Sequence, residues 1–337
     1  MRYARFRPGL FAAVMALGGI FLFWALPDAD SETPDYQPGQ PKLVVMIVFD
    51  QMRGDYLTKW EALFDKEGFG RVQRDGAWYQ NCHYPYGWTL TGAGHASLST
   101  GCSPYKHGII GNGWYDREAR ANVNAVSANK YRIVPDPMDP KEKLNGPSPE
   151  RLKQPTVGEG LHKMSQGKAK IVSLSIKDRS AILLAGLRAT AVYWYNTARN
   201  LFQTSTYYRD TVHPWVADFN KERPADKYFG KAWDRLRPDV DYVKYSGPDD
   251  VKVEGTGVSQ GRTFPHAMAG GKAKPEKNFY EAVTHSPYGN ELLLDLAKRA
   301  IDAEKLGQRD VCDMLCLSFS CNDLVGHTWG PDSQEVM

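Results

Sequence analysis

Lys42-Leu-Val-Val-Met-Ile-Val-Phe49 is a continuous apolar, β-branched run, and Asp50 closes it. A short run without polar alternation predicts a strand buried on both faces, as in a parallel sheet. In open α/β sheets ligands bind beyond the carboxyl ends of the strands, so Asp50 stands where a carboxylate can do chemistry. The same pattern returns at Lys170 to Ser175, just before Lys177, Asp178 and Arg179. It returns again near Met314 to Ser320, which leads into Asp323-Leu-Val-Gly-His327. Between these runs a helix is predicted at about 55–64, then a turn and a strand near 77–84. A further helix over about 290–305 carries Leu293, Leu296, Ala297, Ala300 and Ile301 on one stripe. Buried strands alternating with helices predict an α/β fold, a largely parallel sheet sandwiched by helices. From about 191 to 285 the pattern shifts to short strands, Asn/Gly turns and Pro/Lys-rich loops. That segment is predicted to be an inserted small α+β region.

The 337 residues have room for one large α/β domain. Apolar residues at 42% and charged residues at 24% exclude wholesale disorder. The net charge of +3, without any Lys/Arg run, gives no footprint for a nucleic-acid polymer. Arg2, Arg5 and Arg7 precede an uncharged stretch over residues 9–26, and Asp28, Asp30 and Glu32 follow. Residues 1–30 therefore read as a signal peptide or a membrane anchor, with residues 31–41 as a linker and 42–337 as the exported domain. Cys82, Cys102, Cys312, Cys316 and Cys321 are odd in number and lack Cys-x-x-Cys spacing. Buried free thiols are the expected reading, and a cysteine zinc site is not.

Thr91-Gly-Ala-Gly-His-Ala-Ser-Leu-Ser-Thr-Gly101 is a glycine-rich turn opening into a helix. An alcohol there feels the positive end of the helix, which also favours an anion. Thr91 is thus either a plain N-cap or a nucleophile awaiting activation, and Thr89 competes for the second role. Asp50, Asp323 and His327 all follow buried strands. Carboxylate oxygen with imidazole nitrogen suits zinc.

These motifs together resemble the type I phosphodiesterase and nucleotide pyrophosphatase branch of the alkaline phosphatase superfamily. The likeness is carried by Asp50, Thr91-Gly-Ala-Gly-His95, Thr100-Gly101, Pro104 and His107-Gly-Ile-Ile-Gly-Asn112. Ser175-Ile-Lys-Asp-Arg-Ser180 and Asp323-Leu-Val-Gly-His-Thr-Trp-Gly-Pro331 sharpen it toward periplasmic monoesterase alkaline phosphatases of the PafA type. The resemblance implies a phosphate monoester hydrolase with two zinc ions, acting on small phosphate esters outside the cytoplasm. Asp50 and Thr91 would bind one zinc, and Thr91 would attack phosphorus to give phosphothreonine. Asp323 and His327 would bind the second. Asn112, Lys177 and Arg179 would contact the phosphoryl oxygens.

The family completes its zinc sites with a downstream Asp-His-Gly segment and a further His. Neither follows His327, so the expectation is two protein ligands per metal and a chain matching the N-terminal part of a longer protein. An isolated chain of this kind is expected to be inactive and prone to aggregate. A diesterase or nucleotide pyrophosphatase shares the nucleophile, Asn112 and the metals, but a Lys/Arg pair favours a dianionic monoester. Cys102-Ser-Pro-Tyr-Lys106 resembles a sulfatase motif only superficially, because the Cys follows Thr100-Gly101 instead of replacing Thr91. A non-catalytic binding protein derived from the fold is the reading of a different class.

Overall fold

A computed structural model describes residues 40–137 and 145–337. The predicted signal or anchor segment, and nearly all of the predicted linker, lie outside these residues. Six strands form the central sheet: β1 (Leu43–Phe49), β2 (Ile133–Val134), β3 (Ile171–Ser175), β4 (Ala191–Asn196), β5 (Leu201–Ser205) and β6 (Asp313–Phe319). Their order is β1-β6-β3-β4-β5-β2, parallel from β1 through β4 and antiparallel at β5 and β2. The expected largely parallel sheet is present.

The longer helices are α1 (Thr91–Thr100), α2 (Val157–Met164), α3 (Asp178–Ala185), α4 (Pro214–Glu222), α5 (Lys277–Thr284), α6 (Pro287–Glu304) and α7 (Cys321–Trp329). Helix α2 starts at a capping box, with Glu159 N–H on the Thr156 side chain and the Glu159 carboxylate on the Thr156 N–H. One face of the sheet packs on α6 through Leu174, Leu292, Leu296 and Leu317, and α5 and α7 join the same core through Val283 and Val325. The other packs on α3 through Val192 with Ile182 and Leu183. Burying these side chains removes apolar surface at about 25 cal/mol per Å².

Several expectations change. Strand β1 lies at the sheet edge, with β6 on one side, and Val44, Val45, Ile47 and Phe49 are exposed. Its apolar run satisfies the strand and its parallel register, but the described residues cover neither face fully. Strand β6 sits between β1 and β3 and is buried along its length, as its apolar run predicts. Residues 77–84 form turns and irregular chain rather than a strand, and only Tyr56–Lys59 and Glu61–Leu63 are helical within 55–64. Tyr79 is exposed and Tyr84 sets its ring against Tyr86, so no strand partner rewards an extended ladder.

The segment expected as an insertion opens with β4 and β5, two strands of the main sheet. Its later part brings Trp215, Phe219, Tyr228, Trp233 and Phe279 into the principal core. These aromatics pack in the core. All five cysteines are free thiols, with Cys316 and Cys321 buried.

Candidate active site

Three neighbouring parallel strands, β1, β6 and β3, end side by side, and each hands its chain to a polar residue. Asp50 follows β1, Asp323 lies in the first turn of α7 after β6, and Lys177 follows β3 as the residue capping α3. The Asp50 N–H donates to Phe319 O at 2.9 Å, and Asn322 Nδ2 donates to Asp50 O at 3.1 Å. The Asp50 backbone is thereby pinned to the start of α7, and its carboxylate is buried.

Thr91 is the first residue of α1. Leu90 holds the N-cap position and no side chain caps it, so the plain N-cap reading of Thr91 does not hold. Thr91 Oγ1 lies 3.5 Å from Asp50 Oδ1, at the limit of a hydrogen bond. Thr89 is exposed and precedes the helix.

The glycine after Thr91 is there for space. A Cβ at Gly92 would meet Gly111 O at 2.8 Å and Asn112 Oδ1 at 3.3 Å. The Gly92 N–H donates to Asn112 Oδ1 at 2.8 Å. With its oxygen so committed, the Asn112 amide presents its NH₂ as a donor beside Thr91.

His95 and His107 brace this turn rather than face a ligand. His95 Nδ1 donates to Thr91 O at 2.8 Å, because a carbonyl can only accept. Nε2 therefore accepts from Ser318 Oγ at 2.8 Å, tying α1 to β6. Burial pushes the His95 pKa down, although nearby Asp50 acts the other way, so the ring is neutral. His107 Nδ1 accepts from the Ile109 N–H at 3.1 Å, and Nε2 lies 3.0 Å from Ser97 Oγ. The bracing role of His95 was not read from the sequence, though its i,i+4 spacing from Thr91 is the signal that carries it.

Lys177 departs from expectation. Its ammonium is 2.7 Å from Asp50 Oδ2 and also bonded to Asp323 Oδ2, so it bridges the two carboxylates. Asp323 Oδ1 is 3.5 Å from Nε2 of His327, whose side chain is 68% exposed. Arg179, in the first turn of α3, keeps a buried Nε with no hydrogen-bond partner among the described residues. The structure thus joins Asp50, Thr91, Lys177, Asp323 and His327 in one chain of contacts and sets Asn112 beside Thr91. It gives Arg179 no direct contact with that chain.

The donor set suits a divalent cation. Two carboxylates already flank one positive charge, the Lys177 ammonium, with an alcohol and an imidazole beside them. Among the described residues no three His, Cys, Asp or Glu side chains gather closely enough to form a full ligand set.

The Thr91 turn, Asn112 and two buried carboxylates thus come together at the carboxyl ends of a largely parallel sheet. The chain belongs to the Type I phosphodiesterase / nucleotide pyrophosphatase family, whose sequence profile matches residues 44–337. It is similar to alkaline phosphatase PhoV of Synechococcus elongatus, 37% identical over an alignment of 325 residues that covers 94% of this chain and 57% of that protein. Alkaline phosphatase PafA of Elizabethkingia meningoseptica is 35% identical over 298 residues, 88% of this chain and 53% of the relative. A crystal structure of wild-type alkaline phosphatase PafA matches with a TM-score of 0.80 and 36% identity, over 88% of this chain and 56% of that one. The chain spans about half the length of the curated relatives it matches.

Proposed function

We propose that this chain carries the nucleophile side of a phosphate monoester hydrolase, with Thr91 attacking phosphorus. The observation that supports this most is Thr91 at a helix N-terminus, facing buried Asp50 with the Asn112 amide alongside. Thr91 Oγ forms a bond to phosphorus as the bond to the leaving alcohol breaks. Water then cleaves the phosphothreonine and frees both phosphate and Thr91. The Asn112 NH₂ and the unpartnered Arg179 Nε are donors for non-bridging oxygens, and Lys177 adds a second positive charge. Two cationic side chains match a dianionic monoester better than the single charge of a diester.

Asp50 with Thr91, and Asp323 with His327, would hold divalent cations, zinc by their donor chemistry. Such cations, when bound, stabilise the entering and leaving oxygens as Lewis acids. Residues 42–337 supply in this reading the part of a catalytic domain for small phosphate esters that carries Thr91, Asn112, Lys177 and Arg179. Residues 1–30 are read as an export signal, which puts the domain in the periplasm. Among the described residues no helix is long and apolar enough to cross a membrane.

The test is rapid-quench phosphopeptide mapping, on protein that turns over phosphate esters, after exposure to a labelled aryl phosphate in the presence of zinc. Label on Thr91 is expected. Label on Thr89 or another residue would refute the assignment.

A further inference from the structure

The cation between Asp50 and Asp323 is the protein's own. The Lys177 ammonium sits 2.7 Å from Asp50 Oδ2 and also touches Asp323 Oδ2, and none of the three side chains is more than 10% exposed. Two carboxylates this close repel each other unless a positive charge lies between them, and burial strengthens both the repulsion and its relief. Lys177 is held there by its backbone. Its N–H donates to Ser175 Oγ at 3.1 Å, and Ser175 Oγ donates to Ser318 O at 3.0 Å, which fixes the exit of β3 against β6. Only the flexible four-carbon stem is left to move. A lysine, as a compact point charge on such a stem, can change partners where a planar arginine fork cannot do so easily.

The proposed function asks these groups for two things at once. The carboxylates are to bind divalent cations, and the ammonium is to meet phosphoryl oxygens. An ammonium bonded to both carboxylates occupies the lone pairs a cation needs and is already committed to them.

We propose that Lys177 is an exchangeable counter-ion. It holds Asp50 and Asp323 together until divalent cations take the carboxylates, and it is then released to the phosphate. Cation loading is thereby coupled to the grip on substrate. No proton has to move, because the ammonium keeps its charge and only changes partner. The inference rests on the metal reading of Asp50 and Asp323.

The test compares the zinc affinity of the whole chain with that of Lys177→Met, by competition against a chromophoric chelator. Met keeps the stem and removes the charge. If zinc must displace the ammonium, the variant binds zinc more tightly, by about tenfold or more. The zinc-free variant also melts below the parent, because two carboxylates face each other uncompensated, and zinc closes that gap. A residue that merely props the site gives the opposite sign. Equal or weaker zinc binding by Lys177→Met, with zinc binding by the parent intact, would overturn the exchange and leave the metal reading standing. Zinc binding by neither protein, or binding that survives Asp50→Asn unchanged, would overturn both.

Should Lys177→Met fail to fold, the parent chain still decides. Reductive methylation of Lys177, read by peptide mass spectrometry, should rise several-fold on adding zinc. Equal labelling with and without zinc would overturn the release.

Discussion

Thr91 and Thr89 are separated by a single residue, yet only Thr91 stands on the helix and against Asp50. In protein that turns over phosphate esters, Thr91→Ala should abolish covalent phosphorylation and most of kcat/KM, while Thr89→Ala should leave both largely intact. Steady-state rates with an aryl phosphate, paired with acid-quenched labelling, check this, and equal losses in the two variants would contradict it. Arg179 permits a cleaner test of substrate class than Lys177, because Lys177 also bridges the carboxylates. Losing one charge-assisted contact costs about 1.5–3 kcal/mol in kcat/KM. If Arg179 meets an oxygen that only a monoester leaves unesterified, Arg179→Ala should depress monoesterase far more than diesterase. The same proportional loss on both substrates would favour the diesterase reading.

Helix α7 carries Asp323 and His327, and its far end is gripped by the loop over residues 248–262. The Gly255 N–H donates to Thr328 O at 2.7 Å. Beside it, Glu254 has a buried Oε2 without a partner among the described residues. Burial, reinforced by the charge of Glu335, raises the Glu254 pKa to about 7. The folded chain therefore keeps a proton that the unfolded chain releases at the ordinary carboxylate pKa. This contribution to stability is complete below the unfolded value of 4.5 and is lost as pH rises through about 7. Glutamine mimics the protonated acid. Glu254→Gln should raise Tm at pH 8, by the equivalent of about 1 kcal/mol once solvent screening is allowed for. It should give no gain at pH 5. Thermal melts at the two pH values test this, and a gain that does not change with pH would show that Glu254 is not the titrating group.

At the scale of the molecule, the two edges of the sheet differ: β2 is a buried two-residue strand, whereas β1 is long and exposed. Val45 and Ile47 of β1 share a face and are 44% and 51% exposed, on an edge strand rich in β-branched residues. An exposed apolar edge is a template for pairing with another chain. The chain described here should self-associate through β1, and Val45→Lys with Ile47→Lys should suppress this without disturbing β6, whose register rests on its other neighbour β3. Light scattering against concentration, with circular dichroism as a control for folding, measures the effect. Unchanged association in the double variant would move the sticky surface elsewhere.

Much of the framework was legible in the sequence because it depends on neighbours in the chain. The apolar runs at Leu43–Phe49, Ile171–Ser175 and Asp313–Phe319 are strands wherever they are packed. Thr91-Gly-Ala-Gly-His95 opens a helix, as its run of small residues predicts. The resemblance in motif order likewise placed Asp50, Thr91, Asn112, Asp323 and His327 among the candidates. Irregular chain at 77–84 was misread as a strand, since propensity alone does not supply the partner a ladder needs. Which strand is buried and which lies at the edge was also illegible, because sheet order is set by long-range packing. The same order brings Lys177 between carboxylates that lie 127 and 146 positions away. Local sequence determined the elements and the residues at their ends, whereas only the tertiary structure decided which of those charges meet, because pairing among buried charges depends on distance in space.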